Sequence, residues 1–168
     1  MKTLQEQFTE SYNEYADLLF RHCLFKVSDR ELAKDLVQES FMKTWGYLAE
    51  GKQIDSMKAF LFRTLNNLII DEYRKRKTVS LEALAEEGFD PPFDNTQSLL
   101  AHIDGARALT LIKGLPPEYR DVVFMRYVQE FSLEEIAEVT GESKNTLSVR
   151  IHRGLKKLKE LFEHATRN

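Results

Sequence analysis

Apolar residues recur three and four positions apart over most of the chain, the spacing at which side chains stack on one face of an α-helix. Strict alternation of apolar and polar residues never persists, so the pattern predicts an all-α fold. One helix is expected over roughly Arg30 to Glu50, opened by Ser28-Asp29-Arg30-Glu31 at capping-box spacing and stopped by Gly51. At about 100° per residue, Ala33, Val37, Phe41, Thr44 and Leu48 gather as a core stripe, whereas Asp35, Gln38, Glu39 and Met42 gather on another side. A further helix is predicted from about Ser56 to Lys77; it carries Phe60, Leu61, Leu65, Leu68, Ile69 and Tyr73 and dissolves into Arg74-Lys75-Arg76-Lys77.

The second half repeats the helical pattern with clearer punctuation. Leu99 to Lys113 and Pro117 to Val128 read as two helices, Pro116 and Pro117 setting the start of the second. Ser132-Leu133-Glu134-Glu135 again has capping-box spacing and leads into Ile136, Ala137 and Val139, after which Gly141 supplies a turn. Ser143 can cap a last long helix whose apolar residues are Leu147, Ile151, Leu155, Leu158 and Phe162. This is a helix-turn-helix pattern. Between the halves, Gly88, Pro91 and Pro92 accompany a loss of periodicity around Phe89 to Thr96. The expected organisation is therefore two small helical domains, 1–80 and 101–168, joined by a linker over 81–100, with no internal repeat.

Composition supports two modest cores: the chain has 168 residues, 42% of them hydrophobic, with 11 Phe. The net charge of −3 argues weakly against a nucleic-acid binder, but it conceals a segregation. Lys58, Arg63, Arg74, Lys75, Arg76 and Lys77 face only Asp71 and Glu72 in their stretch, and Lys144 to Arg167 holds seven basic residues against Glu160 and Glu163. Thr78 to Asp104 has no Lys or Arg and carries Glu82, Glu86, Glu87, Asp90, Asp94 and Asp104. Two basic zones flank an acidic one. A single cysteine, Cys23, forms no intrachain disulfide and no Cys-based zinc cluster, and reads as a small buried apolar residue. The start, Met1 to Glu6, lacks the basic and apolar stretches of a secretory signal, and no run approaches a membrane span. A cytoplasmic protein without membrane insertion is expected.

If Leu147, Ile151 and Leu155 face the domain, then Asn145, Thr146, Val149 and Arg153 lie on the opposite side of the last helix, with Lys144 at its start and Arg150 beside them. Asn and Arg make paired hydrogen bonds to adenine and guanine edges, Val meets a thymine methyl, and Lys sits where a phosphate would lie. The bland reading is a solvated basic helix end. Helix-turn-helix folds also occur in domains that bind no DNA, so the motif alone leaves both readings open.

The chain as a whole resembles the sigma-70 family of RNA polymerase sigma factors, in its extracytoplasmic-function group. In the first half the matching segments are Ala33-Lys34-Asp35-Leu36-Val37-Gln38-Glu39-Ser40-Phe41 with Trp45, then Lys58-Ala59-Phe60-Leu61-Phe62-Arg63, Asn67 and Asp71-Glu72-Tyr73-Arg74-Lys75; they resemble sigma region 2. In the second half, Leu115-Pro116-Pro117-Glu118-Tyr119-Arg120, Phe131 to Ala137 and Thr146-Leu147-Ser148-Val149-Arg150-Ile151-His152-Arg153 resemble sigma region 4.

The resemblance implies roles that periodicity does not assign. Asp35, Gln38 and Glu39, with Met42 on the same face, would grip core RNA polymerase; otherwise they are a solubilising helix face, and Trp45 is expected to pack rather than to make a partner contact. The helix from Ser56 and the loop 51–55 before it would melt and hold the minus-10 element through Lys58, Arg63, Asn66, Asn67, Arg74 and Lys75, several of which serve equally as plain surface residues. The last helix would read the minus-35 element. An anti-sigma partner, and a monomeric state when free, are implied in the same way. The sequence departs from the family's habit at Ser148, at apolar Val149 and at Gly154.

No nucleophile with a base, no His-Glu-x-x-His spacing and no Gly-rich phosphate loop is recognisable, and His22, His102, His152 and His164 are scattered. Neither catalysis nor a metal or other cofactor is expected. The stronger alternative is a free-standing helix-turn-helix regulator, which predicts a dimer on a palindromic site; a helical interaction protein with no DNA contact would leave the two basic zones without a purpose.

Overall fold

The computed structural model describes residues 1–83 and 105–167. These form seven α-helices: α1 (Leu4–Val27), α2 (Arg30–Ala49), α3 (Met57–Ala83), α4 (Gly105–Lys113), α5 (Pro117–Val123), α6 (Leu133–Thr140) and α7 (Lys144–Arg167). The chain divides into two compact units, Met1–Asp94 and Asn95–Asn168. Most of the expected acidic linker, together with the predicted helical start at 99–104, lies outside the described residues.

In the first unit α1, α2 and α3 pack on one another. α1 is not among the helices that periodicity yields, although Thr3-Leu4-Gln5-Glu6 has the same capping-box spacing as the sites used above. The box is present: Thr3 Oγ1 accepts from the Glu6 N–H at 3.2 Å, and the Glu6 carboxylate accepts from the Thr3 N–H at 2.8 Å. The box expected at Ser28 is corrected by one residue. Ser28 is the left-handed C-cap of α1, with φ 54°, and Asp29 caps α2 by accepting from the Leu32 N–H at 3.0 Å. With no glycine at this corner, a non-glycine residue must take the positive φ, at a cost of roughly 1–2 kcal/mol. Gly51 ends the α2 region as expected, with φ 80°.

The core of this unit joins Leu19 and Cys23 of α1 with Ala33, Val37 and Phe41 of α2 and Leu61, Phe62, Leu65 and Ile69 of α3. Full burial of a Phe or Leu side chain contributes about 1.5–3 kcal/mol, so these residues supply a large share of the packing that holds the three helices together. Trp45 packs on Phe8 edge to face, ring centroids 5.0 Å apart, and Phe8 packs in the same manner on Phe41. Ser56 starts α3 by accepting from the Ala59 N–H. That helix does not dissolve at its basic run: the backbone stays helical through Arg74-Lys75-Arg76-Lys77 to Ala83.

In the second unit α7 is the backbone of the packing and touches α4, α5 and α6. Pro117 occupies the first turn of α5, where a missing N–H costs nothing. The single helix expected over Pro117–Val128 is corrected: α5 ends at Val123 and the chain continues as a π turn over Phe124–Val128. The wider turn closes through Gln129 N–H to Phe124 O at 3.1 Å and Phe131 N–H to Met125 O at 2.9 Å. Past this turn Phe131 is fully buried, as are Val123, Ile136 and Leu147 in the core of the same unit.

Candidate nucleic-acid interface

α6 and α7 form the helix-turn-helix. Ser132 caps α6 by accepting from the Glu135 N–H at 3.1 Å, and Glu135 returns the bond to the Ser132 N–H at 2.8 Å. Gly141, at φ 75°, reverses the chain in a conformation that side-chain-bearing residues rarely adopt. Ser143 then caps α7 through the Thr146 N–H at 3.2 Å. The first two turns of α7 are thereby aimed by three side chains and one glycine.

Leu147, Ile151 and Gly154 face inward. The glycine sets how closely α7 approaches α5: a Cβ there would meet Val123 Cγ2 at 2.7 Å and Tyr119 Cβ at 3.1 Å. Asn145, Thr146, Val149 and Arg153 are exposed on the outer side, Val149 at 49% despite its apolar side chain. Thr146 Oγ1 lies 2.9 Å from Ser143 Oγ, so this hydroxyl is partly engaged in the cap. Ser148 and His152 are exposed on the same face and were not among the expected readers. The spacing 145, 148, 152 is itself a helical stripe, so periodicity could have included both.

Two of the expected readers have acidic partners within the motif. Lys144 Nζ lies 2.7 Å from a Glu134 oxygen, and this bond holds the Glu134 carboxyl below its ordinary pKa. Arg150 Nη1 lies 2.6 Å from Glu142 Oε2.

On α2, Asp35, Gln38, Glu39 and Met42 are all exposed, Met42 at 65%, and their spacing of three and four residues puts them on one stripe. Behind them Val37, Ser40, Phe41 and Thr44 are buried. On α3 the expected residues separate into groups. Arg63, Asn67 and Arg74 are exposed along one stripe, which also carries Ile70, exposed and missing from the expected set. Lys75 is exposed beside them, and half-buried Lys58 lies on another face. Asn66 turns toward α1: its Oδ1 lies 2.9 Å from His22 Nε2 and accepts from Lys26 Nζ at 3.3 Å. Buried His22 packs edge-on against Phe62, so Asn66 is part of the joint between α1 and α3.

No group of three or more His, Cys, Asp or Glu side chains among the described residues is placed to hold a metal ion. No described helix is long and apolar enough to cross a membrane.

The architecture defines a class first: an all-α protein of two helical units, the second built around a capped helix-turn-helix with a polar, partly basic outer face. Comparison with known proteins carries the assignment further. Residues 11–79 match the model for Sigma-70 region 2, and residues 106–158 match the model for Sigma-70, region 4. The RNA polymerase sigma-E factor of Streptomyces avermitilis is 32% identical over 162 residues, covering 94% of this chain and 86% of that one. The ECF RNA polymerase sigma factor SigE of Mycolicibacterium smegmatis is 29% identical over 161 residues, covering 94% of this chain and 62% of that longer protein. Among solved structures, the sigma factor RpoE from Bartonella quintana, in complex with the anti-sigma factor NepR, has the same fold with a TM-score of 0.72 at 22% identity, over 94% of this chain and 97% of that one. The chain belongs to the sigma-70 family of RNA polymerase sigma factors, within its extracytoplasmic-function group. Its region 2 half is what a free-standing DNA-binding regulator would have no use for.

Proposed function

We propose that the chain binds core RNA polymerase and directs it to two-element promoters, with a region 2 domain over 1–80, a region 4 domain over 101–168 and the acidic stretch 81–100 as the tether. The exposed stripe Asp35, Gln38, Glu39 and Met42 docks on the polymerase. The loop 51–55 and the stripe of Arg63, Asn67 and Arg74, with Lys58 and Lys75, hold the minus-10 element once its bases leave the stack; Asn66 supports them from behind by fixing α3 on α1. α7 reads the minus-35 element with Asn145, Val149 and Arg153, flanked by Lys144 and Thr146, and Arg150 stands at the edge of this face. Promoter opening of this kind needs preferential binding of unpaired bases and no bond chemistry, so the chain acts without catalysis of its own. A cytoplasmic place of action follows from the partner.

The observation that carries the reading is the division of α7 into a buried face, Leu147, Ile151 and Gly154, and an exposed face whose side chains pair with base edges, in a chain that also has the region 2 match. The Bartonella quintana sigma factor RpoE, which has the same fold, was captured with the anti-sigma factor NepR. We extend that to this chain: free in the cell it is a monomer held by an anti-sigma factor that covers parts of both halves. The test is run-off transcription from a promoter library with core polymerase, with and without the chain. Initiation at a defined set of promoters is expected, with loss on combined replacement of Asp35 and Gln38 or of Asn145 and Arg153. No initiation, together with no co-purification with core, would overturn the reading.

A further inference from the structure

The reading helix presents less free positive charge than its sequence suggests. Lys144 meets Glu134 and Arg150 meets Glu142, and the two pairs differ in setting. Lys144 and Glu134 keep 55% and 62% of their side chains exposed, so water screens them and DNA can draw the lysine away at little cost. Arg150 and Glu142 keep only 28% and 34%. The Glu142 oxygen facing Arg150 is itself shut off from solvent and has no aligned hydrogen bond among the described residues, so this close ion pair is what compensates its charge. Releasing the arginine would leave that oxygen buried and uncompensated.

The backbone that carries the carboxylate is also held in place. Glu142 follows Gly141 in the α6–α7 turn, and its N–H donates to Thr140 Oγ1 at 3.3 Å. Arg150 stands at the edge of the reading face, where a free guanidinium would sweep toward the phosphate backbone. Phosphate contacts add affinity without sequence information. We infer that Glu142 is a positioning residue that sets specificity: it tethers Arg150 at the turn, withholds it from sequence-independent phosphate binding, and leaves discrimination to Asn145, Val149 and Arg153. The inference rests on the DNA-reading role proposed for α7.

The test measures binding of the full chain to a short random-sequence duplex as a function of salt. Glu142→Gln is expected to bind roughly 3- to 10-fold more tightly at low salt, with a salt slope steeper by about one, the increment for one added phosphate contact. In an Arg150→Gln background the same change is expected to have no effect. Glu134→Gln, which removes an equal charge nearby, is expected to change binding less than Glu142→Gln does. Arg150→Met, which keeps the aliphatic stem, replaces Arg150→Gln if that variant does not fold. The inference is overturned if Glu142→Gln behaves like the parent, if its gain persists without Arg150, or if Glu134→Gln gains as much. Should neither the parent nor any variant bind duplex DNA at low salt, the DNA-reading role of α7 falls, and the inference with it.

Discussion

Gly154 shows how one missing methyl group governs an interface. Its Cβ position lies 2.7 Å from a methyl of Val123, which is fully buried in the short α5. Replacing it by Ala gains about 1 kcal/mol in helix propensity. Overpacking costs about 1–3 kcal/mol, and with Val123 fully buried and Tyr119 Cβ 3.1 Å from the same point the cost dominates. Gly154→Ala is therefore expected to lower the urea midpoint of the second unit, and an unchanged or raised midpoint would contradict the close approach. Cys23 offers a second check. Burial pushes its thiol from 9.0 up to about 12, so the folded state retains the proton where the unfolded chain has lost it. A raised folded pKa means that its contribution to stability is intact below pH 9 and declines as pH rises toward 12. Urea midpoints followed over that window should fall more steeply for the parent than for Cys23→Ala, and parallel curves would refute the assignment. The buried, apolar character of Cys23 was legible from its being the sole cysteine of the chain. The inward turn of Asn66 was not, because its partner His22 is 44 residues away and only the crossing of α1 and α3 brings them together.

At the scale of elements, punctuation proved more reliable than periodicity. The capping box at Ser132, the glycine turn at 141 and the cap at Ser143 are all formed as their local chemistry dictates, because each needs only residues three positions apart. Removing the Ser132 hydroxyl leaves the Glu135 N–H without its cap, and Ser132→Ala should cost the second unit about 1 kcal/mol in chemical denaturation. An effect below experimental error would mean that the box does not hold α6. Where the same logic slipped, at Ser28, two candidate caps stand side by side and the sequence does not rank them. The helix expected to run unbroken from Pro117 to Val128 becomes π-helical from Phe124, where the chain must bring Phe131 into the core. A helix-forming stretch gives no local sign of that demand.

At the scale of the molecule, the exposed stripe of α2 lies apart from the residues that fold the first unit, so its proposed docking role can be tested separately from stability. Val37, Phe41 and Thr44 do the packing, while Asp35 and Gln38 point outward. Exposed substitutions usually change stability by less than about 0.5 kcal/mol. Asp35→Ala combined with Gln38→Ala should thus leave the unfolding midpoint nearly unchanged while abolishing co-purification with core polymerase; retained co-purification would remove this face from the proposed docking surface.

The amino-acid order by itself determined the helical class, the caps and turn of the helix-turn-helix, the amphipathic faces of α2 and α7 and the family, since all of these depend on residues within one or two turns or on motif order. The tertiary structure alone decided which polar residues of α3 face outward and which join α1 to α3, why residue 154 is a glycine, and which cations of α7 meet carboxylates. Those outcomes depend on side chains brought together from different helices. Their distances are set by how the helices cross, and helix crossing is a property of the packed core that no local pattern contains.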